Sequence, residues 1–308
     1  MGFRFDALGL GRVAELPRQL TGGLLHRVFR VRTDRGIYAV KLIDPEVAGR
    51  PGAIESIENS EGAAAALAGV VPAVAAIAFD GRRVRKIDGR WTVACPWAEG
   101  ASVFPPDITP AHCAAIGDAL GRMHAANVQA PGITPETDRM PEIDWPELLM
   151  KAPEAPWRSR SERVLLDLIR WNGEARAAES RLLGPPVLSH RDLDPKNVLW
   201  QGLSPRLIDW EAAGYVNPRR ELLEVLLYWA DDGAGGVISG NGLALLAAYR
   251  RHMPVGGDWT DVIAAGRANL LEWLAYSVRQ ASDGQVEATL DALERYDENT
   301  RRLIGILS

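Results

Sequence analysis

Three oxygen-bearing side chains at short, fixed intervals constrain this chain more than any other feature. The run Ser189-His190-Arg191-Asp192-Leu193-Asp194-Pro195-Lys196-Asn197-Val198-Leu199 carries the spacing H-x-D-x-x-x-x-N. Leu207-Ile208-Asp209-Trp210-Glu211 follows, with Asp209 twelve residues after Asn197. A short polar loop between two small strands would bring Asp192, Asn197 and Asp209 together. A carboxylate at Asp192 can accept a proton from a hydroxyl. The side-chain oxygens of Asn197 and Asp209 are hard ligands suited to Mg2+. Polar residues that merely cap a turn would explain any one of the three. They explain the full set, in this order and spacing, poorly.

A second signal lies upstream. Tyr38-Ala39-Val40-Lys41 sits within 37–43, a β-branched and aromatic run. A lysine amid Ile37, Val40, Leu42 and Ile43 is unfavourable to bury unless its charge is paired. Period two puts Ala39 and Lys41 on one strand face, where the small Ala39 leaves room for a flat ring. Taken alone, a strand lysine that reaches solvent is the plainer reading. Residues 27–32 alternate, and Thr33-Asp34-Arg35-Gly36 is turn chemistry, so these two runs read as a hairpin.

These motifs resemble the kinase superfamily and, within it, the aminoglycoside phosphotransferase and choline kinase family, whose members phosphorylate small molecules. The resemblance runs from about Leu20 to about Trp229. It implies an α+β, bilobal protein-kinase-like fold. A small strand-rich lobe, 1–97, would bind nucleotide, and a larger helical lobe, 98–308, would carry catalysis and substrate. The resemblance also implies Asp192 as the catalytic base and Asn197 and Asp209 as the Mg2+ ligands. Lys41 would meet the phosphates of ATP or GTP, paired with a helix glutamate. Glu55, Glu58 and Glu61 are the candidates, and Glu61 ahead of Leu67 matches the family pattern best. Thr21-Gly22-Gly23 resembles the phosphate loop, where Gly22 and Gly23 let backbone N–H groups approach an anion. His26 stands where members often carry Asn. Residues 91–100 resemble the hinge beside the adenine, with Ala39 across from it. The Pro96 carbonyl would accept from the adenine amine, and the Ala98 N–H would donate to the ring. Glu221 takes the place of an aspartate that supports the catalytic loop, and His124 reads as a packed structural histidine.

The remaining segments fit that plan. Residues 55–68 read as a helix closed by Gly69 and Pro72, and 74–79, 82–87 and 91–95 as strands. Helices are expected over 110–126, 161–178, 221–230, 243–251, 260–280 and 287–306. A net charge of −5, with both signs well mixed, gives no electrostatic reason for a nucleic-acid partner. Cys95 and Cys113 form neither a zinc pattern nor a disulfide framework, so a reducing, cytoplasmic setting is expected. No membrane association is expected either. The most apolar stretch, 62–78, is interrupted by Gly69 and Pro72, and 1–10 lacks the pattern of a secretion signal.

Two other readings compete. A protein kinase is disfavoured: Asp194 stands where Ser/Thr kinases place a lysine, 209–221 is too short for an activation segment, and no G-x-G-x-x-G precedes the hairpin. A catalytically silent nucleotide-binding relative is disfavoured by the joint presence of Lys41, Asp192, Asn197 and Asp209. The acceptor is thinly encoded. Eight of the ten tryptophans lie beyond residue 97, and Trp210-Glu211, Tyr228 to Asp232 and Glu272-Trp273 set aromatics beside carboxylates. Such pairs suit a cationic acceptor, an aminoglycoside or an amino alcohol, through charge and cation–π contact. Core tryptophans flanked by surface carboxylates would give the same pattern.

Overall fold

Alternating burial shapes the first strands. In β2 (Arg27–Thr33) Phe29, Val31 and Thr33 turn inward, and in β3 (Gly36–Leu42) Val40 and Leu42 do. The two strands pair antiparallel from Arg27↔Leu42 to Thr33↔Gly36, which is the expected hairpin. With β1 (Arg18–Gln19), β4 (Val84–Ile87) and β5 (Arg90–Pro96) they form a five-stranded sheet in the order β1-β2-β3-β5-β4. One face packs Val31, Val40, Leu42 and Ala94 against Leu8 and Leu10. The other packs Val84 and Val93 against Ile57 of helix α2 (Ala53–Leu67), which follows the single-turn α1 (Pro45–Ala48). The computed structural model describes residues 3–20, 26–135, 140–182 and 184–307.

The chain divides into two compact units. The first comprises Met1–Val103, Ala126–Thr134 and Leu188–Tyr215; the second comprises Phe104–Ala125, Pro135–Val187 and Val216–Ser308. Short strands β6 (Val187–Ser189) and β9 (Gly214–Val216) pair, as do β7 (Val198–Gln201) and β8 (Ser204–Leu207). The β7–β8 hairpin docks on the segment after β5 through reciprocal bonds between Ala101 and Trp200, 3.0 and 3.3 Å. Gly100 allows this approach: its φ is +130°, and a Cβ there would lie 2.5 Å from the Trp200 carbonyl oxygen.

The second unit is helical: α3 (Pro110–Ala126), α4 (Trp145–Lys151), α5 (Arg158–Arg163), α6 (Leu165–Glu179), α7 (Pro218–Ala230), α8 (Ser239–Tyr249), α9 (Thr260–Gly266), α10 (Ala268–Arg279) and α11 (Asp283–Leu307). Trp145, Trp157, Leu168, Leu271 and Leu290 anchor one of its cores. A buried triad joins α3, α7 and α8: His124 Nε2 meets Glu221 Oε2 and His124 Nδ1 meets the Tyr249 hydroxyl, each at 2.8 Å. His124 is thus a packed histidine. Cys95 and Cys113 are free thiols, and burial pushes Cys113 up to about 12. Among the described residues no helix is long and apolar enough to cross a membrane.

Several expected elements differ. Residues 74–79 are not a strand. The Ala76 N–H goes to the Glu61 carboxylate and the Ile77 N–H to the Ala94 carbonyl, so no continuous ladder forms. The helix expected over 260–280 breaks at Arg267, whose guanidinium lies over the rings of Trp171 and Tyr296. The helix expected over 161–178 is likewise two, divided at Val164.

Candidate active site

Ala39, Lys41, Glu61, Pro96, Ala98, Asp192, Asn197 and Asp209 all lie in the first unit, and two local devices gather most of them. The first is the β7–β8 hairpin. Val198 pairs with Leu207, and the Ile208 N–H donates to the Asn197 carbonyl at 2.9 Å, so Asn197 and Asp209 flank the open end of one hairpin. The second is the loop before β7. Asp194 caps the 3-10 turn Pro195–Asn197 by accepting from the Lys196 N–H at 2.8 Å. That turn returns Asn197 to Asp192. The Asn197 Nδ2 donates to the Asp192 carbonyl at 2.8 Å and to its Oδ2 at 2.9 Å. The amide nitrogen is therefore committed to Asp192, and the Asn197 Oδ1 faces the other way, as a metal-ligand role requires. The fully buried His190 donates from Nε2 to the Ile208 carbonyl at 3.0 Å and packs on Trp210, tying the loop to the Asp209 segment.

Asp209 and Arg191 hold left-handed backbone conformations, with φ of +59° and +63°. Such conformations are unfavourable for residues other than glycine and are found where a surrounding structure imposes them, often at sites of chemistry. In Asp209 this turns the carboxylate out of the strand line toward Lys41.

Lys41 lies on the α2 face of the sheet, opposite Val93 in the register, with only 17% of its side chain exposed. Its Nζ donates to Asp209 Oδ1 at 2.8 Å and to Glu211 Oε1 at 2.6 Å. Burial opposes its charge, yet the two carboxylates outweigh burial and raise its pKa. Glu211 in turn meets His26: Nε2 lies 3.1 Å from Glu211 Oε2. Burial works against the charge of Glu211 as well, but the His26 hydrogen bond and the Lys41 ammonium bring its pKa down to about 2. The Ser60 hydroxyl of α2 donates to the Glu211 carbonyl at 3.0 Å and fixes the turn that carries it.

Lys41 thus meets Asp209 and Glu211, whereas each candidate glutamate on α2 makes its hydrogen bond or ion pair elsewhere. Glu55 pairs with Arg82 at 3.6 Å. Glu58 caps the start of β4, accepting from the Arg83 and Val84 N–H groups at 2.9 and 2.8 Å. Glu61 accepts from the Ala76 N–H at 3.2 Å and makes no ion pair with Lys41. Burial pushes Glu61 up to about 7, with Lys41 near enough to offset part of the rise. A folded pKa above the ordinary carboxylate value means stability that is fully present below about pH 4.5 and is lost as pH rises through about 7. Glu61→Gln is therefore expected to flatten the fall in Tm between about pH 5 and 8. It should stabilise the alkaline end by on the order of 3 kcal/mol. Thermal melts of both proteins across that range check this.

At the hinge, the Trp97 N–H donates back to Ile37 of β3 at 3.0 Å. Backbone groups alternate in direction along a strand, so the Pro96 carbonyl at the end of β5 faces away from β3, beyond the point where β4 ends at Val84↔Val93. Ala39 lies on the Lys41 face of β3. Gly22 and Gly23 lie outside the described residues.

Lys196 and Glu211 are site residues that the sequence reading left unassigned. Lys196 Nζ lies 3.0 Å from Asp192 Oδ1 and 3.5 Å from Asp194 Oδ2. Its position four residues after Asp192, one turn along a tight loop, was the available signal. For Glu211 the signal was its place two residues after Asp209 on a short turn. The aromatic–carboxylate pairs do not form a cation site as pairs. Trp210 and Trp229 are buried core residues, Glu211 is committed to Lys41 and His26, and only Trp273 shows substantial aromatic surface, 38% exposed.

Among the described residues no three His, Cys, Asp or Glu side chains cluster as a metal site. Mg2+ does not require one, because it is held by one or two carboxylates together with substrate phosphates and water. The Asp209 carboxylate, 46% exposed, and the Asn197 amide oxygen fit that mode.

A strand lysine paired across to a strand-end aspartate, beside an aspartate–asparagine loop, is the arrangement that the kinase resemblance implied. The chain belongs to the phosphotransferase enzyme family, whose model matches residues 17–255. A homoserine kinase from Gluconacetobacter diazotrophicus is 29% identical over 208 residues, covering 62% of this chain and 60% of that protein's length. Solved structures share the fold. A spectinomycin phosphotransferase in complex with ADP and spectinomycin has a TM-score of 0.66 at 16% identity, covering 95% of this chain and 93% of that one. A choline/ethanolamine kinase family protein from Mesorhizobium loti has a TM-score of 0.61 at 18% identity, covering 96% and 93%. The fold is thus the α+β protein-kinase-like one that the motifs implied.

Proposed function

We propose that this protein transfers the γ-phosphate of ATP or GTP to a hydroxyl group of a small molecule. The observation that carries the reading is the joint geometry of Lys41 on Asp209 and Asn197 on Asp192 within one unit. Asp192 takes the proton of the acceptor hydroxyl, the oxygen attacks the γ-phosphorus, and the nucleoside diphosphate leaves. Lys41 and Lys196 place positive charge near the phosphate oxygens. Pro96, Ala98 and Ala39 receive the base. Asn197 and Asp209 are the residues that would hold Mg2+, which when bound neutralises charge on the phosphates.

The named relatives guide the choice of acceptor. They include a homoserine kinase, a spectinomycin phosphotransferase and a choline/ethanolamine kinase family protein. Homoserine, amino alcohols and aminoglycosides are therefore the first acceptors to screen for phosphate transfer. Nucleotide binding can be tested without an acceptor. Mg-ATP or Mg-GTP is expected to raise Tm, since a ligand that binds only the folded state adds about 2.7 kcal/mol at a hundredfold excess over its dissociation constant. Folded protein whose melt responds to neither nucleotide overturns the reading.

A further inference from the structure

His26 is the residue that the family pattern did not absorb, and its two ring nitrogens have opposite partners. The Asp44 N–H donates to His26 Nδ1 at 3.1 Å. A backbone N–H can only donate, so Nδ1 is the acceptor and the ring proton sits on Nε2. Nε2 then donates to Glu211 Oε2 at 3.1 Å. The other oxygen of that carboxylate, Oε1, receives Lys41 at 2.6 Å. The imidazole is almost fully enclosed, with 6% of its side chain exposed, and so holds one orientation. A continuous chain results, from the Asp44 backbone through His26 and Glu211 to the Lys41 ammonium.

We propose that His26 is a positioning residue that aims Glu211 at Lys41, and that Glu211 is a carboxylate that holds Lys41 toward the nucleotide phosphates. The inference rests on the proposed kinase reading of the site. Its physical basis is a division of labour between two carboxylates. Lys41 contacts both Asp209 and Glu211, but Asp209 is the residue proposed for the metal. When Asp209 turns to that role, Lys41 keeps one anchored anion only if Glu211 is held in place. A carboxylate on a short turn rotates freely unless its second oxygen is fixed, and His26 fixes it. Glu61 makes its hydrogen bond to Ala76 and none to Lys41 in this geometry. Hydrogen-bond partners of metal-site ligands typically account for about 10–100-fold in affinity or activity, and Glu211, on the same turn as Asp209, is expected to respond on that scale.

Two substitutions separate the two ring nitrogens. In His26→Gln the side-chain amide reaches the place of Nε2, so donation to Glu211 is kept and the Asp44 link is lost. In His26→Asn the amide oxygen stands at the place of Nδ1, so the Asp44 link is kept and Glu211 is released. Calorimetric titration with Mg-ATP, alongside melts of each nucleotide-free protein, reads both. The expected result is about 10-fold or greater weakening in His26→Asn and in Glu211→Gln, with His26→Gln within about threefold of wild type. Glu61→Gln should weaken binding less than Glu211→Gln. Binding unaltered in His26→Asn overturns the inference. So does a loss in His26→Gln as large as in His26→Asn, because both follow if His26 only anchors the strand start. A larger loss in Glu61→Gln than in Glu211→Gln overturns it as well. Wild-type protein that binds neither Mg-ATP nor Mg-GTP removes the kinase reading and this inference together. The two failures are therefore told apart by the wild-type titration.

Discussion

Asp192→Asn is expected to lower turnover by about 10²–10⁴-fold while nucleotide affinity stays near that of the wild type. The substitution keeps the size of the side chain and removes its capacity to take a proton. Nothing in the geometry assigns Asp192 to the metal or the phosphates. Its oxygens face Lys196 at 3.0 Å and Asn197 at 2.9 Å. The Asn197 amide still has the Asp192 main-chain carbonyl as an acceptor at 2.8 Å, so the loop should keep its shape. Turnover is measured with whichever acceptor the screen identifies, and affinity by titration with Mg-ATP. Near-full turnover in the variant would show that another group is the base.

Asp209→Asn is expected to fail differently, losing Mg-nucleotide affinity as well as turnover. The drop in affinity should be at least about 10-fold, the lower end of what even indirect disturbance of a metal site produces. Asn tolerates the left-handed backbone at this position, so the hairpin end should remain folded. What changes is charge. The site loses one carboxylate proposed for the metal, and Lys41 loses the Asp209 anion at 2.8 Å while keeping Glu211 at 2.6 Å. Titration of the variant with nucleotide in the presence and absence of Mg2+ isolates the metal contribution. If both aspartate variants lost nucleotide equally with folding intact, their roles would not be divided as proposed. The double variant should fall short of the product of the two effects, since groups that act as one unit are not additive.

The local motifs were legible because their geometry is set by nearby residues. Asp194 caps its own turn, Asn197 reaches back five residues to Asp192, and the hairpin returns Asp209 beside Asn197. Spacing along the chain suffices for such contacts. The partner of Lys41 was not legible. Glu211 lies 170 residues away, whereas the family pattern points to α2, where Glu61 matches best and Glu55 and Glu58 sit nearby. Which of them could reach Lys41 depended on where α2 rests against the sheet. There Glu58 meets the start of β4 and Glu61 meets Ala76, so neither is available. The apolar run 74–79 was misread for a related reason. Its composition suits a strand, but its N–H groups are claimed one at a time by a side chain and by separate carbonyls.

By itself the sequence determined the family, the hairpin that carries Lys41, and the identity of the proposed base and metal ligands. Those follow from side-chain chemistry at short range, where few residues separate the groups and few backbone paths connect them. Only the tertiary structure decided which carboxylates neutralise Lys41 and what His26 does. It also decided that Trp210 and Trp229 serve the core. The physical reason is that a buried charge takes the nearest anion the packed chain delivers, and packing brings together residues whose separation in sequence carries no signal.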